Sequence, residues 1–298
     1  MVAEIEDNLY NIRSNMTNVE YYFLWKKIKK RGLCSKRVYV DDHFEQVYYF
    51  NSFMTFDIET TSVHKGDGET FGFMYIWQVC VEGEVIMGRT WDEFILFMNN
   101  LKAGLQDNSD SEQPLFACYV HNLAFEFQFM RNFFKITNMF ATDKRKPLKY
   151  TVDNFYEFRC SYKLTNMSLD KFLNKTPNIK FKKQDGEEFD YSIFRTPITE
   201  LTPKELGYCY CDVKGLEEGI QFLLEHEDDT IATIPMTSTG YLRREVRKRI
   251  KSNIKNQYLI NKTKLSPELY VLCKTALRGG NAHANPVYSA EILVSTED

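Results

Sequence analysis

The stretch FMTFDIETTS, residues 53–62, sets two carboxylates, Asp57 and Glu59, in an apolar run that otherwise reads as a buried strand. Side chains alternate faces along a strand, so both acids point to one side. A buried charge is costly unless it is paired or coordinates a metal. The question is whether other segments bring the remaining ligands.

Two do. In YVHNLAFEFQFM, residues 119–130, a strand ends at His121-Asn122 and Glu126 falls on the first turn of the next helix. In YCYCD, residues 208–212, Tyr208 and Asp212 stand at i and i+4 and share a helix face. Carboxylate oxygens suit hard divalent ions such as Mg²⁺ or Mn²⁺. Two such ions can stabilise both the attacking and the leaving oxygen of a phosphodiester displacement. A tyrosine with an ordinary pKa of about 10 is neutral and suits orienting a water better than acting as a base. Each piece alone has a plain reading: a stray acidic pair, a packed tyrosine, an exposed helix glutamate. Their conjunction points to a two-metal hydrolytic site.

The chain has 298 residues, 43% hydrophobic and 27% charged, as in a soluble globular protein of one large or two ordinary domains. A net charge of −3 gives no global signature of nucleic-acid binding, so any such surface is local. Seven scattered cysteines do not form a disulfide framework, and the Cys209/Cys211 pair lacks the partners of a zinc site. No signal peptide and no membrane-length apolar run is present. Reduced thiols and a cytoplasmic location are expected.

NVEYYFLWKKIKKRG (18–32) predicts a helix and RVYVDDHFEQVYYF (37–50) strands. Strands are expected over 53–58, 70–81 and 84–89, then a helix over WDEFILFMNNLKAGL (91–105). PLFACYVHN (114–122) reads as a buried strand and AFEFQFMRNFF (124–134) as a helix, with strand-like segments continuing to about Tyr162. Ser168 caps a short helix, and Thr202-Pro203 opens a long one. This order predicts an α/β domain of mixed sheet and helices over 51–228, preceded by an N-terminal extension, 1–50. The acidic run EHEDDT (225–230) marks a boundary before a basic helical segment, 229–298.

The three acidic segments resemble the exonuclease motifs of family B DNA polymerases, in particular the protein-primed branch found in phages. FDIETTS is similar to the first motif, YVHNLAFEFQFM to the second, with His121, Asn122 and Leu123 in place, and YCYCD to the tyrosine form of the third. MSLDKFL (167–173) resembles the Ser/Thr-Leu motif, and KKQDGEEFDYS (182–192) the lysine-containing segment ahead of the third. Five motifs in order cover about residues 50–225. LRGGNAHANPVYSAEILVSTED (277–298) resembles the passage to the polymerase palm, with Leu277 where that family has tyrosine. Glu126 stands where better-known members have aspartate. The palm's own catalytic motifs do not occur in this sequence, so no polymerisation is expected of this chain alone.

The resemblance implies an RNase H-like fold and removal of nucleotides from single-stranded DNA 3′ ends, as in proofreading. It implies that Asp57, Glu59, Glu126 and Asp212 hold two divalent ions, Mg²⁺ or Mn²⁺, and that Tyr208 orients the attacking water. It assigns stabilisation of charge at the scissile phosphate to Lys183, with Lys182 as the neighbouring choice. Thr60, Asn122, Phe125, Ser168 and Leu169 match positions that touch the 3′ terminus. His121 and Phe129 match positions that face DNA or a priming terminal protein, and Arg278, Gly279 and Gly280 match the partner-contacting glycine motif. Independently of the family, YLRREVRKRIKSNIK (241–255) carries seven Lys/Arg against one Glu, which suits Arg243, Arg244 and Arg247 to phosphate contact. The rival readings are an exonuclease-like module that only binds DNA or terminal protein, and a free-standing oligonucleotide or RNA exonuclease.

Overall fold

The computed structural model describes residues 2–5, 8–13, 16–40, 42–64, 68–106, 113–183, 190 and 193–276. The chain divides into two compact units, Met1–Tyr241 and Leu242–Asp298.

The first unit is built on a mixed sheet. Its strands are β1 (Val2–Ile5), β2 (Asn8–Arg13), β3 (Leu33–Val40), β4 (His43–His64), β5 (Thr70–Val81), β6 (Glu84–Gly88), β7 (Leu115–Val120), β8 (Ile136–Asp143), β9 (Lys146–Val152) and β10 (Tyr156–Cys160). They lie in the order β1-β2-β6-β5-β4-β7-β10-β9-β8, with β3 also paired to β4. The β4–β7, β7–β10 and β2–β6 pairs are parallel and the rest antiparallel. This mixed sheet flanked by helices agrees with the RNase H-like expectation. The sequence reading did not anticipate β1 and β2, which extend the sheet beyond β6.

Strand parity along β4 distributes the core. Phe50, Met54, Phe56 and Ile58 pack with helices α1 (Asn18–Lys30), α2 (Trp91–Leu105) and α3 (Leu123–Met130). Tyr49 and Phe53 face the other way, toward α5 (Leu169–Lys175) and α6 (Pro203–His226). Between β10 and α5 lies the single turn α4 (Ser161–Thr165). Asp57 and Glu59 continue the odd series and so turn toward α6. Thr55, from the same series, donates its hydroxyl to the Val213 carbonyl at 2.8 Å, which fixes α6 against β4 one residue after Asp212.

The capping of α6 follows its sequence. Thr202 and Glu205 form a capping box around Pro203. The second unit contains α8 (Ile254–Lys262), α9 (Pro267–Ala276) and most of α7 (Ser238–Lys251), which begins in the first unit. Arg243, Arg244 and Arg247 are exposed on α7. Leu277, Arg278, Gly279 and Gly280 lie outside the described residues, as does most of 184–192.

Candidate metal centre

Three elements converge on one cleft of about 190 Å³, lined by Asp57 and Glu59 from β4, Glu126 from α3, and Tyr208 and Asp212 from α6. One carboxylate oxygen from each of Asp57, Glu59 and Asp212 lies within 4.8 Å of the others. Glu126 stands apart from that trio but hydrogen-bonds Asp57 through its side chain. It is 2% exposed, where a glutamate on a short helix would ordinarily reach solvent. A β-bulge falls between Glu59 and Thr60, so the register of β4 on β5 changes immediately after the acid pair.

Burial sets the electrostatics. It pushes the Asp57 carboxyl up to about 7, with Asp212 adding to the rise and Lys183 opposing it. Burial, then Asp57, raises Glu59 well above the usual range. The same two causes, burial and then Asp57, raise Glu126 well above the usual range. Asp212 is also raised by burial, against the pull of Lys183 and Tyr208. The Lys183 ammonium sits 3.1 Å from Asp212 Oδ2 and 5.0 Å from the centre of the Tyr208 ring. Burial disfavours its charge, but Asp212 and Asp57 outweigh that and raise it.

Four acids thus line one cleft with a single lysine, Lys183, among its lining residues. The fold treats a buried acid elsewhere quite differently. Glu157 on β10 meets Arg159 at 2.7 Å and Lys149 at 2.6 Å. Burial raises its carboxyl, yet these cations win and hold it at about 2. The cleft lacks such compensation. Among the described residues, Asp212 Oδ1 and Glu126 Oε2 are buried with no hydrogen-bond partner. Unpaired oxygens on clustered carboxylates fit a hard divalent ion, which would supply the missing positive charge.

The other predicted residues fall on the rim or near it. Phe125 and Leu169 line the cleft, Phe125 being 42% exposed and Leu169 buried. Asn122 precedes α3 in the left-handed region, at φ 75°, a conformation asparagine tolerates better than most residues. His121 also lines the cleft, and its Nδ1 contacts Ser161 Oγ at 3.1 Å. Burial, with Lys183 nearby, lowers its pKa to about 4, so it is neutral at pH 7. Thr60 is half-buried, and Phe129 is half-buried with its ring 5.2 Å from that of Phe125. Ser168 caps α5 by accepting from the Lys171 amide at 3.4 Å. Lys182 is exposed, whereas Lys183 turns into the cleft.

Sequence reasoning missed Gln78. It lies opposite Asp57 across the β4–β5 register, is fully buried, and donates from Nε2 to Asp57 Oδ2 at 3.0 Å. A lone polar residue in the apolar run MYIWQVCV carried the same signal that exposed Asp57 and Glu59.

No protein-family model and no curated protein matches the chain. Solved structures do. Phi29 DNA polymerase complexed with primer-template DNA, as the post-translocation binary complex, matches with a TM-score of 0.57 and 16% identity over 80% of this chain. The same polymerase complexed with single-stranded DNA matches with a TM-score of 0.56 and 17% identity over 79% of this chain. The chain spans 41% of that polymerase's length. At this identity the likeness establishes a shared fold between this chain and part of a DNA polymerase.

Proposed function

We propose that this chain is the 3′→5′ exonuclease part of a protein-primed family B DNA polymerase, acting on single-stranded DNA ends with Mg²⁺ or Mn²⁺. The observation that carries the proposal is the convergence of four acids from three elements on one cleft that also holds Lys183, with two carboxylate oxygens left unpaired among the described residues. The motif order in the sequence and the fold shared with a DNA polymerase support it.

Asp57, Glu59 and Asp212 would hold one ion, and Asp57 with Glu126 would reach a second. Such ions supply Lewis-acid stabilisation to the attacking and leaving oxygens of phosphodiester hydrolysis. Tyr208 orients the attacking water. Lys183 presents positive charge to the scissile phosphate. Phe125 and Leu169 flank the terminal base, and Thr60, Asn122 and Ser168 hold the terminal sugar and phosphate. The neutral His121, together with Phe129, contacts the strand or a terminal protein. Exposed Arg243, Arg244 and Arg247 add phosphate contacts, and Arg278, Gly279 and Gly280 contact a partner at the passage to a polymerase palm.

Matched DNA and RNA strands of one sequence test the substrate class, since only the ribose hydroxyl differs. Faster 3′ shortening of DNA is expected. Preferential cleavage of RNA would replace this reading with a free-standing ribonuclease.

A further inference from the structure

Helix α6 presents Asp212, Gly215 and Glu218 at intervals of three residues, on one face. The segment Lys180–Lys183 runs back along that face. Glu218 Oε2 accepts from two consecutive backbone amides, Lys180 N at 2.7 Å and Phe181 N at 3.3 Å. Gly215 gives the segment room, because a Cβ there would collide with the Phe181 carbonyl oxygen and the Leu173 side chain. The Phe181 ring meets Tyr210 edge-on at 5.3 Å. Two residues later, Lys183 reaches Asp212.

A segment tethered at Glu218 by two backbone amides thus carries Lys183 to Asp212. We infer that Glu218 is a positioning residue: it anchors the Lys180–Phe181 backbone so that the Lys183 ammonium stands over the acid cleft. It is half-buried, away from the cleft lining, and touches none of the four acids. The inference rests on the reading of Lys183 as the residue that stabilises charge on the phosphate.

The test uses the full chain with Glu218→Ala, Glu218→Gln, Lys183→Ala and the Glu218→Ala/Lys183→Ala double variant. Amide hydrogen exchange is measured first, in EDTA. Glu218→Ala should speed exchange at Lys180 and Phe181 about tenfold or more, as expected for loss of charge-assisted hydrogen bonds, and leave the middle of α6 unchanged. Glu218→Gln keeps an acceptor oxygen and should restore part of the protection. In single-strand cleavage, Glu218→Ala should lower kcat with little change in KM, and add nothing in the Lys183→Ala background. Unchanged exchange at Lys180 and Phe181 would overturn the anchoring. So would faster exchange with full cleavage, or losses that multiply with Lys183→Ala. A wild-type chain that cleaves no strand would defeat the exonuclease reading instead, while the exchange result still decides whether Glu218 anchors the segment.

Discussion

Replacing Asp57 by asparagine keeps the side chain's size and removes its charge, and it should stabilise the metal-free protein. The acid oxygens of Asp57, Glu59 and Asp212 lie within 4.8 Å of one another. At that separation one like-charged pair costs about 3.5 kcal/mol at an effective dielectric constant of about 20. The lysine at Asp212 offsets part of this, and Asp57 is only half-buried, which leaves a net relief of about 1–3 kcal/mol. In the 1–241 unit, that corresponds to a rise in Tm of about 3–10 °C. The sign follows from the protonation. Burial and Asp212 raise the folded Asp57 to about 7, against about 3.9 in an unfolded chain. Between those values the unfolded state releases a proton that the folded site keeps. The Asp57 contribution to wild-type stability therefore falls as pH rises through this window and is level above it. The advantage of Asp57→Asn should vanish below pH about 4 and be complete above about 7. Thermal unfolding in EDTA at low and high pH reads it directly. With Mn²⁺ added the order should reverse, because ion binding stabilises only the wild-type site. An unchanged or lower Tm for Asp57→Asn at pH 8 in EDTA would refute the argument that the acids repel.

Three other outcomes are expected. Glu126→Asp should keep substantial cleavage while Glu126→Ala loses most of it; equal, full activity in both would make Glu126 a bystander. Tyr208→Phe should slow cleavage by about 10- to 100-fold, as for loss of a group hydrogen-bonded to a metal ligand, here Asp212, with oligonucleotide affinity in EDTA unchanged. Arg243→Ala/Arg247→Ala should weaken single-strand binding and reduce the slope of log affinity against log salt by about 1.4, on the basis of roughly 0.7 per phosphate contact. An unaltered slope would remove α7 from the interface.

The core of the site was legible because strand and helix periodicity is local. Parity alone puts Asp57 and Glu59 on one face, and i, i+4 spacing puts Tyr208 above Asp212. The Thr202-Pro203 start of α6 was equally plain, since its capping signals are contiguous. What could not be read depends on contacts between distant segments. The partnership of Gln78 with Asp57 is set by the β4–β5 register. Glu218, on the polar side of a helix, acquires its role only because the chain from Lys180 to Lys183 folds back along α6. Taken alone, Glu126 reads as an exposed helix glutamate, and only the motif order made it a ligand candidate; its burial goes with the packing of α3 on β9 and β10. The short strands β1 and β2 are recognisable only by their pairing with each other and with β6.

The most direct test of the central claim is incubation of the chain with 5′-labelled single-stranded DNA and Mg²⁺ or Mn²⁺, beside EDTA and Asp57→Ala controls. The account predicts a ladder that shortens from the 3′ end and disappears in both controls. Cleavage that persists in EDTA or in Asp57→Ala, or a strand that binds but stays intact, would contradict it.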